Sequence, residues 1–93
     1  MKEFDFEVVL DVDVKDTEEE ANKQFEEMAS NIYLKIDYGC LGLCACQYSI
    51  DVTVKAKSLE EAFNIAIKDV ESCGYKVREI VFDVSLDRDQ IAN

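Results

Sequence analysis

Histidine is absent from the 93-residue chain. Without an imidazole, acid–base catalysis of the usual kind near neutral pH is out of reach, and so is Ser-His or Cys-His activation of a nucleophile. Proline is absent as well, and glycine occurs only three times. No linker, low-complexity tract or second-domain boundary is therefore visible. There is no phosphate-cradling loop and no dinucleotide fingerprint. The opening residues Met1-Lys2-Glu3-Phe4-Asp5 lack the apolar centre of a secretion signal. No apolar run approaches the roughly 20 residues of a membrane helix. These absences lead to the expectation of one cytoplasmic domain over residues 1–93 that is not an enzyme and needs no cofactor.

Positive charge is scarce. Ten basic residues face 21 acidic ones, a net charge of −11. Such a chain repels nucleic-acid phosphates and anionic membranes, and it suits basic partners, cations or plain solubility. Its hydrophobic content of 48% is ordinary for a folded protein. A chain this short buries only about 60–65% of its unfolded surface, enough for one core.

The longest regular signal runs from Leu43 to Ala56. Cys44, Cys46, Tyr48, Ile50, Val52, Val54 and Ala56 alternate there with Leu43, Ala45, Gln47, Ser49, Asp51, Thr53 and Lys55. A period of two sustained this long predicts a half-buried strand. Phe4, Phe6, Val8, Leu10, Val12 and Val14 predict a first strand of the same parity. Thr17 and Glu20 form a capping box for a helix whose apolar stripe is Ala21, Phe25, Met28 and Ile32. Alternation of Ile32, Leu34, Ile36 and Tyr38 predicts a second strand, and Gly39-Cys40-Leu41-Gly42 a hairpin connection. Ser58 and Glu61 cap a second helix with Leu59, Ala62, Phe63, Ala66, Val70 and Cys73 on one face and Gly74 as its stop. A last strand places Ile80, Phe82, Val84 and Leu86 inward, before a polar tail over residues 87–93.

The order βαββαβ also carries a faint repeat. Val12-Asp13-Val14-Lys15 before Thr17 and Glu20-Ala21 is echoed by Val52-Thr53-Val54-Lys55 before Ser58 and Glu61-Ala62. Two such units interleave as an α+β ferredoxin-like sandwich, a four-stranded antiparallel sheet with two helices on one face.

In that arrangement odd-numbered residues line the helix-free face. Asp5, Glu7, Asp11, Asp13, Asp51, Glu79 and Asp83 are expected there, with Lys15, Lys35 and Lys55 as the main cations. Sandwiches of this shape that bind RNA present aromatic and basic residues on the same face. Carboxylates there argue against direct nucleic-acid binding. Three readings remain. The face is solvated and blocks sheet-to-sheet association. It docks a basic protein surface, such as that of a nucleic-acid-binding protein. In the sharper form of that reading it mimics nucleic acid, as phage inhibitors of defence nucleases do. Or it binds a cation, although Asp11-Val12-Asp13-Val14-Lys15-Asp16 fails the calcium-loop pattern at its fifth and sixth positions and, with Asn22, at its twelfth. Val9, Tyr33, Leu43, Ala45 and Val81 form a candidate apolar island on this face for a homodimer that tightens as salt rises.

Four cysteines without an export signal read as reduced thiols. Cys40, Cys44, Cys46 and Cys73 could converge at one end of the sheet as a four-thiolate metal or redox centre. Against this, Cys44 and Cys46 continue the inward stripe of their strand, and a C-x2-C knuckle is missing. Core packing is thus the leading expectation, with Cys40 as the exposed thiol.

Residues 58–78 resemble a known family. Ser58-Leu59-Glu60-Glu61-Ala62, Ala66-Ile67, Asp69-Val70-Glu71, Gly74 and Val77-Arg78, preceded by Phe4-Asp5-Phe6 and Val8, are similar to an uncharacterised bacterial domain. In that family the domain lies before a short helix-turn-helix of regulator or antitoxin type. The resemblance implies a sensing or partner-binding module. DNA binding is not carried over, because the chain reaches Ile91-Ala92-Asn93 where the reading helices would begin.

Overall fold

Two capped helices and four strands follow from these patterns. A computed structural model of the chain describes residues 1–44 and 46–82. The elements are β1 (Lys2–Asp13), α1 (Glu18–Ile32), β2 (Gly39–Cys44), β3 (Gln47–Ala56), α2 (Leu59–Ser72) and β4 (Val77–Val81). The strands form one antiparallel sheet in the order β2-β3-β1-β4. This is the ferredoxin-like α+β arrangement. The expected extension of β4 through Asp83, Val84, Ser85 and Leu86, and the tail 87–93, lie outside the described residues.

Both helices start where a side chain can satisfy a free backbone donor. Glu20 N donates to Thr17 Oγ1 and Glu61 N to Ser58 Oγ, each at 3.2 Å. Glu18, Glu19 and Glu20 in the first turn of α1 oppose the positive end of its dipole. α2 ends in a Schellman motif. Gly74 at φ 94° lets Tyr75 N reach Val70 O while Gly74 N donates to Glu71 O.

The core lies between the helices and one sheet face. Phe6, Val8 and Leu10 of β1 and Tyr48, Ile50, Val52, Val54 and Ala56 of β3 meet Met28 and Ile32 of α1 and Ala62, Ala66 and Val70 of α2. Phe6 and Phe63 pack edge to face at 4.9 Å, a geometry the ring quadrupoles favour. The buried Tyr48 hydroxyl lies 2.8 Å from Gln24 Oε1 and 3.0 Å from Ala21 O. Gln24 Nε2 in turn donates to Asp13 O, which ties the β1–α1 connection to the core.

The second strand differs from the expectation. The apolar alternation at Ile32, Leu34, Ile36 and Tyr38 is not a strand: α1 continues to Ile32, and Lys35 N and Ile36 N both donate back to Ile32 O. Ile32 and Ile36 are buried together as helical neighbours, while Leu34 is 82% exposed. The stretch Gly39–Gly42, expected as a connection, is instead strand β2. Gly39 is needed inside it, because a Cβ there would sit 2.7 Å from Val52 Cγ1 and 2.9 Å from Ile50 Cγ2. The hairpin instead closes at the pair Cys44 and Gln47, with Cys46 in the turn.

This shift inverts the parity of the second strand. Leu41 pairs with Ile50 and is buried toward the helices, so Gly39, Leu41 and Leu43 face inward. Cys40, Gly42 and Cys44 lie on the helix-free face opposite Asp51, Ser49 and Gln47. The expected core placement of Cys44 and Cys46 is thereby overturned, and both are exposed. In β1 and β3 the even-numbered residues do face the helices, and Asp11 and Asp13 stay exposed.

Candidate interaction surface

The helix-free face is built in cross-strand rows. Glu3 faces Lys55 and Asp5 faces Thr53. Glu7 stands between Asp51 and Val81, with Cys40 beyond Asp51. The following row is Gly42, Ser49, Val9 and Glu79. Asp11 and Asp13 extend the face past a register shift in β1. Six of the seven predicted site residues, Asp5, Glu7, Asp11, Asp13, Asp51 and Glu79, are thus brought onto one surface. Asp83 lies outside the described residues.

The cations of this face are not those expected. Lys15 belongs to the β1–α1 connection and lines a hollow against α1, and Lys35 sits in the turn after α1. Lys55 remains, and Arg78 joins it. Between the pairs Val9–Glu79 and Leu10–Val77, β4 carries one more residue than β1, and that residue is Arg78. The bulge places its guanidinium beside β1: Nη2 and Nε donate to Asp11 Oδ1 at 2.9 and 3.3 Å, and Nη2 is 4.0 Å from Asp13 Oδ1. Strict alternation assigns Arg78 to the opposite face, and the bulge has no sequence signature.

One carboxylate group has no cation partner among the described residues. Asp5, Glu7 and Asp51 surround a shallow depression of about 450 Å³ that Thr53 and Val81 also line. Thr53 Oγ1 donates to Asp5 Oδ1 at 2.6 Å and orients that carboxylate. Val81 is 45% exposed and gives the depression an apolar wall.

The proposed apolar island does not assemble. Val9 is fully buried, Tyr33 caps α1, and Leu43 shares the helix-side parity of Leu41. Ala45 lies outside the described residues. Nor do the cysteines converge. Cys40 and Cys44 lie on the helix-free face, Cys46 in the turn, and Cys73 caps α2 in the helix layer. Among the described residues no three Cys, Asp or Glu side chains are grouped as metal ligands.

The perturbed groups, Tyr38, Tyr48 and Cys73, lie away from the acidic face, on the helix side of the sheet. Tyr38 donates to Asp69 Oδ2 at 2.6 Å, and burial together with the Asp69 carboxylate pushes its ionisation well above the usual phenol range. Burial pushes the Cys73 thiol up; nearby Lys35 opposes this and Asp69 adds to it. A thiol held protonated is a poor nucleophile. A hollow of about 490 Å³ beside α1 is lined by Val12, Met28 and Tyr75, with two lysines and two glutamates of offsetting charge.

Compared with models of protein families, with curated proteins and with solved structures, the chain matches none. No helix among the described residues is long and apolar enough to cross a membrane.

Proposed function

We propose that the protein is a small, non-enzymatic interaction module that docks a basic protein surface through its helix-free sheet face. One observation carries this reading. Glu3, Asp5, Glu7, Asp11, Asp13, Asp51 and Glu79 spread over that face against only Lys55 and Arg78 among the described residues. A rigid sheet holds these charges at fixed spacings, so a complementary cationic surface is attracted from a distance and then oriented. A lysine- and arginine-rich groove meant for nucleic acid has that complementarity, which makes a nucleic-acid-mimic inhibitor the sharper form of the proposal.

The test uses an oligoarginine peptide as probe and fluorescence anisotropy as readout. Binding should weaken steeply as salt rises, because exposed charges are screened beyond about 10 Å at 0.1 M. The double variant Glu7→Lys, Asp51→Lys should lose most of the affinity while keeping the wild-type circular dichroism spectrum. Binding that ignores both salt and charge reversal would assign capture to another surface.

A further inference from the structure

Three of the four cysteines are exposed, and all three belong to the β2–β3 hairpin. Free cysteine is normally among the most buried residues. Cys46 is also the one non-glycine residue among those described that has a positive φ, 63°. That torsion suits glycine or asparagine, and held by another residue it marks a position to be examined for function.

Geometry selects one pair among the four thiols. Cys40 and Cys44 share a strand face but are four residues apart, roughly 13 Å at the rise of an extended chain. Cys46 lies further along the chain, past the end of β2. Cys73 is in the helix layer, beside Lys35 and Asp69. A disulfide requires Cα atoms within about 7 Å, so these pairings do not close. Cys44 and Cys46 differ. Cys44 forms the closing pair of the hairpin with Gln47, and Cys46 lies inside the turn. Two Cα–Cα steps of about 3.8 Å separate them by at most about 7.6 Å, at the edge of disulfide range even for an extended chain, and Cys46 is in a turn.

We infer that Cys44 and Cys46 form a redox-active dithiol at the tip of the β2–β3 hairpin, which low-molecular-weight disulfides such as glutathione disulfide oxidise reversibly to an intramolecular disulfide. One cysteine thiolate attacks a sulfur of glutathione disulfide. A protein–glutathione bond forms, and the first glutathione leaves as a thiolate that takes up a proton. The second cysteine thiolate then attacks the protein sulfur of that mixed disulfide and expels the second glutathione. The protein loses two electrons and two thiol protons; one disulfide is broken in the oxidant, and two glutathione thiols are formed. The small ring and its exposure leave the bond open to reduction by excess thiol.

The full chain is incubated with glutathione disulfide, alkylated, and read by intact mass and peptide mapping. The expected product has lost two hydrogens, carries no glutathione, and is alkylated at Cys40 but protected at Cys44 and Cys46. The Cys40→Ser, Cys73→Ser double variant should give the same bond. Cys44→Ser should instead keep a stable glutathione adduct on Cys46. Lasting adducts on both Cys44 and Cys46 in the wild type, a bond mapped to Cys40, or a disulfide-linked dimer would each overturn the inference. Because both thiols are exposed, serine variants should retain the fold, which circular dichroism checks in the same samples.

Discussion

The hydroxyl of Tyr33 accepts the backbone N–H of Leu41 at 2.8 Å. β2 is an edge strand of the sheet, and its other side is paired with β3. Tyr33 therefore occupies part of the edge that an added strand would need. An uncovered edge is a template for pairing with another chain, and natural sheets cover or charge it. The strand Gly39–Cys44 carries no charge of its own, so a side chain from the end of α1 supplies the cover.

Tyr33→Phe should therefore change association more than stability. The bond is part-buried, so its loss should cost roughly 1 kcal/mol. Sedimentation at high protein concentration should show more self-association than wild type. An unchanged monomer fraction would show that the phenol does not guard the edge.

Arg78 partly neutralises the acidic face at Asp11 and Asp13. Removing it with Arg78→Ala should tighten binding of an oligoarginine peptide several-fold at low salt, with the gain fading at high salt. Stability should change by less than about 1 kcal/mol, because half-exposed ion pairs contribute little. Weaker peptide binding in this variant would count against the acidic face as the docking surface.

Two glycines of β2 should respond in opposite ways to the same change. Gly39→Ala forces a Cβ against Val52, Ile50 and the Asp51 carbonyl, and overpacking of this kind costs roughly 1–3 kcal/mol. Gly42→Ala meets nothing within 4 Å and should be neutral or mildly stabilising. Thermal melts of the pair would check both the strand and its register. Equal midpoints would indicate that β2 does not approach β3 as described.

Tyr38 and Tyr48 set the alkaline limit. Burial pushes the ionisation of both phenols up, and for Tyr38 the Asp69 carboxylate adds to it. The folded chain thus holds protons that the unfolded chain releases near pH 10. Their contribution is fully present below that pH and is lost as pH rises above it toward the folded-state values. Denaturant midpoints should fall above about pH 10, and Tyr38→Phe should make that fall shallower. A variant curve parallel to wild type across this range would remove Tyr38 from the account.

Much of the fold was legible because it rests on local rules. The capping boxes at Thr17 and Ser58, the stop at Gly74 and the period-two stripes of β1 and β3 are short-range signals, and each stands where expected. The region from Ile32 to Cys46 was misread because its residues satisfy two periods at once. Ile32 and Ile36 fit both a strand alternation and an i, i+4 pair, and the turn that closes α1 prevailed, with Ile36 N bonded to Ile32 O. That choice moved the strand, the turn and three cysteines together.

By itself the sequence determined the class of fold and the sign of the surface, because alternation and capping act within a few residues and net charge is a sum. The tertiary structure alone decided which carboxylates keep a cation and which cysteines are exposed. Those outcomes depend on strand register, and a single extra residue at Arg78 or a displaced turn at Cys46 resets it without altering any local pattern.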